Sequence, residues 1–387
     1  MKILYVVSRP LEINSSASIR NLATIIGLTE LGHEVKLITT LPDVNHPNYN
    51  IIDIPSNLEV KYIKLNGTQK IASLFRRYKV LKPLRDYLHN YISNSSIYDN
   101  LLSIINFIDK IEINDDSFDL VISSSDPKSS HLFVHKLYEK KLLEITPWIQ
   151  IWGDPFSTDI SIKNRKIRKK LYIEEKKLLV YPFEIIYLSK LTLDDQINLF
   201  KEFSNKMRYV PAPFKQISVY PKNSVDYNLL NILYSGDFNS TTRNILPLYE
   251  AVKKTMHKLV ICGSSNIQLS EVNNINVLPR LSLDEVKKLE EKADILVHLS
   301  NLSGSQIPGK IYQYIGTNKP VLFILDGQVD KLSEIFLEYN RFVFCLNSID
   351  SIFETLKNFQ KLNSLVSNDV QDKFAPVNIA QEIIKFV

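Results

Sequence analysis

The sequence predicts two tandem doubly wound α/β domains, each a parallel sheet flanked by helices. Three observations carry that prediction. Short apolar runs alternate with stretches of helical period, as strands buried on both faces of a parallel sheet require. The alternation lapses once, between positions 210 and 229, and then restarts. The length, 387 residues, exceeds what one hydrophobic core usually serves and suits two or three domains.

The opening run, residues 3–7, reads as a buried strand. A polar loop follows, containing Asn14-Ser15-Ser16-Ala17-Ser18. Ile19, Leu22, Ala23, Ile26 and Leu31 then keep a helical period that Gly32 stops, and residues 34–39 form the next strand. Strand, helix and strand within about 40 residues make a right-handed βαβ unit. Further strands read at 59–65, 120–123, 148–152, 184–188 and 207–210. Pro211-Ala212-Pro213 and Pro221-Lys222-Asn223-Ser224 mark a junction. Beyond it come strand 231–234, helix 244–254, strand 258–262 ending at Gly263, and strand 276–278. Helix 283–292 with Ser282 as its N-cap, strand 295–299, helix 308–317, strand 321–325 and a terminal amphipathic helix over 377–387 complete the order. The expected domains are residues 1–213 and 229–370, with 371–387 as a final helix. Two such domains in tandem place a ligand in a central cleft facing the strand carboxyl ends.

Composition narrows the function. Hydrophobic residues at 44% and charged residues at 23% are globular proportions. A net charge of +5, from 47 Lys+Arg against 42 Asp+Glu, is too balanced for a surface that coats nucleic acid. Cys262 and Cys345 cannot form a disulfide framework and suit a reducing compartment. The N-terminus enters a short strand directly, so no signal peptide is expected. No apolar run is long enough to span a membrane. Only 10 glycines occur, where about 27 would be average, so each one is informative.

The densest signal is Ser303-Gly304-Ser305-Gln306-Ile307-Pro308-Gly309-Lys310, between a strand and a helix. Pro308 suits a first helical turn, Gly304 and Gly309 allow close approach to the backbone, and Lys310 adds a cation. The residues fit a phosphate cradle; they fit an ordinary capped helix with a solvated lysine as well.

Lys310-Ile311-Tyr312-Gln313-Tyr314-Ile315 running into Lys319-Pro320-Val321-Leu322 resembles the donor-site helix of family-4 glycosyltransferases, which have two Rossmann-like domains in the fold called GT-B. Tyr234-Ser235-Gly236-Asp237-Phe238 with Thr242-Arg243-Asn244 is similar to the first strand and loop of their donor domain. Asn276-Val277-Leu278-Pro279-Arg280 resembles their base-contacting loop, and Pro147-Trp148-Ile149 with Asp154-Pro155-Phe156 resembles a stretch of the acceptor domain.

The resemblance implies retaining, metal-independent transfer from a nucleotide-diphosphate sugar to a glycan or lipid-linked glycan, in surface or capsular polysaccharide synthesis. It implies no cofactor beyond the donor substrate and no nucleic-acid partner. Lys310 and Arg243 would stabilise the departing diphosphate. Gly236, Phe238, Pro279, Arg280, Ser305, Gln306, Ile307, Pro308, Gly309 and Gln313 would form the donor site. Ser15, Ser16 and Arg20 would meet the acceptor. Asp126 and Asp154 would position the acceptor hydroxyl or the donor ring, or else cap turns before proline. The last helix would cross back onto the first domain. Departures from the family pattern are Ser305 and Gln313 where two glutamates are usual, and Asp237 where an arginine is usual. A non-catalytic partner of a transferase and a sugar-nucleotide 2-epimerase are the competing readings.

His131 and His135, spaced i and i+4, have no acidic motif beside them and read as one face of a surface helix; no metal site is expected. The first strand lacks the glycine-rich loop of a nicotinamide enzyme. Two basic stretches, residues 69–89 and 163–177, could rest on an anionic membrane surface or be solvated helix faces. A cytoplasmic protein, peripheral at the inner face of a membrane, is expected.

Overall fold

The computed structural model describes residues 1–65, 97–111, 113, 117–162, 164–221 and 224–387. The chain divides into two compact units, Met1–Lys215 together with Pro376–Val387, and Gln216–Ala375.

The first unit holds a seven-stranded sheet. Its strands are β1 (Lys2–Val6), β2 (Glu34–Thr40), β3 (Leu58–Ile63), β4 (Leu120–Ser124), β5 (Trp148–Trp152), β6 (Glu184–Tyr187) and β7 (Met207–Tyr209), in the order β3-β2-β1-β4-β5-β6-β7. Every pairing is parallel. Helices α1 (Ser16–Glu30), α2 (Ser129–Glu139), α3 (Arg165–Leu178) and α4 (Lys190–Leu199) intervene. All residues of β4, β5 and β6 are buried, which is why these strands read as continuous apolar runs. The order reverses between β1 and β4, so a crevice opens at their carboxyl ends.

One expectation fails in α2. His131 and His135 lie in the core, not on a surface face. His131 Nδ1 pairs with the Ser123 hydroxyl at 2.7 Å, and its ring packs 4.3 Å from the Trp152 ring. Burial drives the His131 pKa well below the ordinary value, so the ring stays neutral. The helix is sandwiched between the sheet and residues 97–111, so both of its sides are covered.

The second unit holds a six-stranded sheet in the order β10-β9-β8-β11-β12-β13. Its strands are β8 (Asn231–Ser235), β9 (Lys258–Cys262), β10 (Ile275–Leu278), β11 (Ile295–Leu299), β12 (Val321–Leu325) and β13 (Phe342–Leu346). The helices are α5 (Leu246–Lys253), α6 (Leu283–Lys292), α7 (Lys310–Ile315), α8 (Val329–Leu337), α9 (Ile349–Lys357) and α10 (Phe359–Asn363). Ser282 caps α6 as expected, in a reciprocal box with Glu285. The switch point falls between β8 and β11.

Two features depart from the sequence reading. Helix 308–317 contracts to the six residues of α7, under two turns, so little dipole accumulates at its start. Beyond 325 the sequence reading names no strand, yet β13 forms there. Its run is masked by Arg341, a fully buried charge immediately before it. That guanidinium donates to the carbonyls of Thr317, at 2.9 Å, and Lys319, at 2.6 Å, closing the turn after α7.

The final helix, α11 (Pro376–Ile384), belongs to the first unit and packs along α1.

Candidate active site

In the second unit the loops after β8, β9 and β11 meet at the switch point. Gly236 donates its N–H to Cys262 O at 2.9 Å, and a Cβ on Gly263 would lie 2.1 Å from Gly236 O. Backbone packs on backbone there, which only glycine permits. Asp237, next in line, spends its charge locally: Oδ1 accepts the Ser264 N–H at 2.8 Å and Oδ2 pairs with Arg280 at 3.2 Å. Phe238 turns into the core against Tyr234, leaving its backbone alone at the loop.

Arg243 is anchored from two sides. Its Nη1 donates to Asp237 O at 2.6 Å, while Nε and Nη2 donate to Asn301 Oδ1 at 3.3 and 3.0 Å. Asn301 in turn donates from Nδ2 to Gln306 O at 2.9 Å. A guanidinium has five N–H donors, so donors remain for an incoming anion. The loop carrying Ser305, Gln306, Ile307, Pro308 and Gly309 is thereby tied to Arg243. Ser305 is buried, and Gln306, Ile307, Pro308, Gly309 and Gln313 are half-buried. Gly304 adopts φ +82°, the left-handed region that favours glycine. Pro279 and Arg280 are exposed at the carboxyl end of β10.

Lys310 is half-buried and paired with Glu290 Oε1 at 3.0 Å. Its ammonium stands 5.3 Å from the Tyr314 ring centroid, and the Tyr314 hydroxyl meets Ser235 Oγ at 3.0 Å. The solvated lysine of the bland sequence reading is therefore not what forms.

In the first unit a second cluster forms where β4 and β5 end. Arg20 of α1 donates to Ser125 O, and a Cβ on Gly153 would lie 2.7 Å from the Arg20 guanidinium. Lys128 is buried and bonded to Asp126. Burial alone would raise Asp126, but the Lys128 ammonium outweighs it and holds the carboxyl below its usual range. Burial raises Asp154 to about 7, helped by the adjacent Asp126 charge. Two neighbouring carboxyls with pKa values pushed apart can share a proton near neutrality. Beneath them Glu175, buried on α3, accepts the N–H groups of Phe156 at 3.0 Å and Ser157 at 2.8 Å. That carboxylate fixes the loop carrying Asp154.

The structure thus gathers Arg20, Asp126 and Asp154 in one unit, and Gly236, Arg243, Arg280, Lys310 and residues 304–309 in the other. Ser15 is the N-cap of α1, accepting the Ser18 N–H at 3.1 Å, and Ser16 is exposed. Lys128, Asn301 and Glu290 were missed. Glu290 had a legible signal: Val286, Glu290 and Ala293 share one helical face, so a charge sits on the inward stripe. Among the described residues, no group of three or more His, Cys, Asp or Glu side chains is arranged to hold a metal ion.

No protein-family model matches the chain, and no curated sequence does. Solved structures do. The catalytic domain of starch synthase IV from Arabidopsis thaliana, bound to ADP and acarbose, superposes with TM-score 0.67 at 9% identity, covering 100% of this chain and 98% of that one. A glycosyltransferase from Rickettsia africae gives 0.55 at 13% identity, with 99% and 98% covered. UDP-GlcNAc 2-epimerase from Neisseria meningitidis, bound to UDP-GlcNAc, gives 0.54 at 13%, with 100% and 99% covered. The fold is GT-B. In a GT-B chain, the clusters described above stand at the switch points of the two Rossmann-like sheets, where α/β folds of this kind receive ligands.

Proposed function

We propose that this protein is a glycosyltransferase of the family-4 type, moving a sugar from a nucleotide-diphosphate sugar to a glycan or lipid-linked glycan acceptor with retention of configuration. The observation that carries the reading is Arg243, clamped by Asn301 and the Asp237 carbonyl at the β8/β11 switch point, with Lys310 opening the helix that follows the loop Asn301 holds. The starch synthase structure holds ADP and the epimerase structure holds UDP-GlcNAc, which supports a nucleotide-sugar donor here.

In this reading the acceptor oxygen bonds to the anomeric carbon as the bond from that carbon to the diphosphate breaks. The departing phosphate takes the acceptor's proton. Negative charge grows on the phosphate oxygens, so fixed cations lower the barrier more in the transition state than in the ground state. Arg243 and Lys310 supply that charge without a bound metal. Asp126 and Asp154, on the acceptor-binding unit, orient the hydroxyl.

The lipid-linked form of the acceptor, a place in surface or capsular polysaccharide synthesis, and residence at the inner face of a membrane belong to the same proposal. They are supported by α3, whose Arg165, Lys166, Lys169 and Lys170 are exposed around Ile173, itself 68% exposed. No helix among the described residues is long and apolar enough to cross a membrane. The other basic stretch, 69–89, lies outside the described residues.

Incubating the protein with a panel of sugar nucleotides tests the reading. Slow release of nucleoside diphosphate is expected. In Arg243→Met it should fall at least tenfold, the equivalent of about 1.4 kcal/mol. Epimer formation would make the protein an isomerase, and no binding of any nucleotide would leave a scaffold.

A further inference from the structure

Helix α6 has one buried residue, and it is a glutamate. Carboxylates are rarely buried unless their charge is answered. Both oxygens of Glu290 are engaged: Oε1 with the Lys310 ammonium at 3.0 Å, Oε2 with the Tyr220 hydroxyl at 2.8 Å. Tyr220 belongs to the segment entering the second unit, the stretch that the sequence presents as a linker. It is not loose there. Its N–H donates to Asn318 Oδ1 and its carbonyl accepts from Asn318 Nδ2, both at 2.8 Å. Its ring lies 5.4 Å from the Lys319 ammonium. Two residues earlier, the Ser218 N–H donates to Gly316 O at 2.9 Å.

A chain of contacts therefore runs from the connector to the cation beside the anion-receptive loop. Asn318 holds the Tyr220 backbone, the Tyr220 hydroxyl holds Glu290, and Glu290 holds Lys310. We infer that Glu290 and Tyr220 are positioning residues that aim Lys310 at the donor's phosphates. This rests on the reading of the second unit as the nucleotide-sugar site.

The physical case is preorganisation. A free lysine swings on a four-carbon stem and loses that freedom when it binds an anion, which weakens the binding. Lys310 has already lost it, caught between a fixed carboxylate and the Tyr314 ring. Its ammonium has three N–H donors, and one suffices for Glu290, so phosphate oxygens can be met without breaking the pair. Ser305 and Gln313 bring no carboxylate to this place; Glu290 brings one from a neighbouring helix. Because Tyr220 lies on the connector, unseating that segment would loosen Lys310.

The opposing physical possibility is that Glu290 merely cancels the Lys310 charge, and the two differ in sign. Affinities for UDP and ADP are measured by calorimetry in wild type, Glu290→Gln, Tyr220→Phe, Lys310→Met and the two doubles with Lys310→Met. Glu290→Gln is expected to weaken the better nucleotide about tenfold and Tyr220→Phe several-fold, with neither adding a further loss in the Lys310→Met background. Tighter binding by Glu290→Gln, or equal losses with and without Lys310, overturns the inference. Thermal melts of each variant exclude unfolding as the cause, and Tyr220→Phe removes only a hydroxyl. A second readout needs no nucleotide: the rate at which an amine-acylating reagent modifies Lys310, followed by mass spectrometry. It should rise several-fold in Glu290→Gln, because an amine no longer held between the carboxylate and the Tyr314 ring is freer to meet the reagent. An unchanged rate overturns the positioning role. A raised rate in a protein that binds neither nucleotide keeps Glu290 as the partner that holds Lys310 and overturns the donor-site reading instead.

Discussion

Gly27, inside α1, faces the backbone of Pro376 so closely that a Cβ would stand 2.0 Å from the Pro376 carbonyl oxygen. It would also stand 2.9 Å from the Ala380 methyl. A glycine in a helix interior costs about 1 kcal/mol relative to alanine. Here that cost permits α11 to lie against α1 and bring the chain's last residues into the first unit. Gly27→Ala gains helix propensity but drives a methyl into backbone that cannot turn aside. We expect a net loss of about 1–3 kcal/mol, as for other overpacked sites. Each kcal/mol lowers the melting temperature by about 2–4 °C at this size. Carboxypeptidase should then trim residues 376–387 faster. An unchanged melting temperature and digestion rate would mean that α11 shifts to make room.

The alternation of strands and helices was legible because both sheets are parallel and their central strands are buried on both faces, so apolar runs stand out against helical periods. The α6 cap was legible because Ser282 and Glu285 form a local pattern, closed within three residues. What escaped depends on pairs distant in sequence. Arg341 satisfies carbonyls of the turn after α7, more than twenty residues upstream, and its charge hides the strand it introduces. His131 reads as a surface residue until Ser123 and Trp152 are known to close over it. The site was half legible in the same way. Arg243 and Lys310 stand in motifs, whereas Asn301 and Glu290, which hold them, are defined only by the fold.

Asp154 gives a pH dependence of definite sign. Its folded pKa is raised to about 7 from an ordinary 3.8, so the folded protein keeps a proton that the unfolded chain releases. Stability therefore falls as pH rises from about 4 toward 7 and stays reduced above that. Asp154→Asn removes the titration. Discounted for partial exposure, it should stabilise the protein by about 1 kcal/mol at pH 8, with the gain shrinking as pH falls to 5. Asp126 behaves oppositely. Its pKa is held low by Lys128, so its contribution is present above the ordinary carboxylate range and is lost in acid. Asp126→Asn strands the buried Lys128 and should destabilise at pH 8, by about 3 kcal/mol or more. Denaturant titrations of both variants at pH 5 and pH 8 decide this. A gain for Asp154→Asn that is equal at both values would remove the titration from Asp154.

The outward surface of α3 makes the last prediction. Lys176 and Lys177 are spoken for by Glu202, at 2.7 Å, and Glu139, at 3.3 Å, and the Arg168 Nε donates to Ile162 O. Arg165, Lys166, Lys169 and Lys170 are exposed on the same helix as Ile173. Just past its end Val180 and Phe183 are each 52% exposed. Cations beside solvent-facing apolar groups match an anionic bilayer surface, where each basic residue contributes about 1 kcal/mol. Wild type should co-sediment with phosphatidylcholine vesicles containing phosphatidylglycerol and not with phosphatidylcholine alone. Changing all four cations to glutamate should abolish the difference. Raising the salt to about 0.5 M should weaken binding in wild type, since exposed charges are screened within a few ångströms there. Sedimentation that ignores both lipid charge and the substitutions would detach α3 from the membrane and leave a glycan without a lipid carrier as the acceptor.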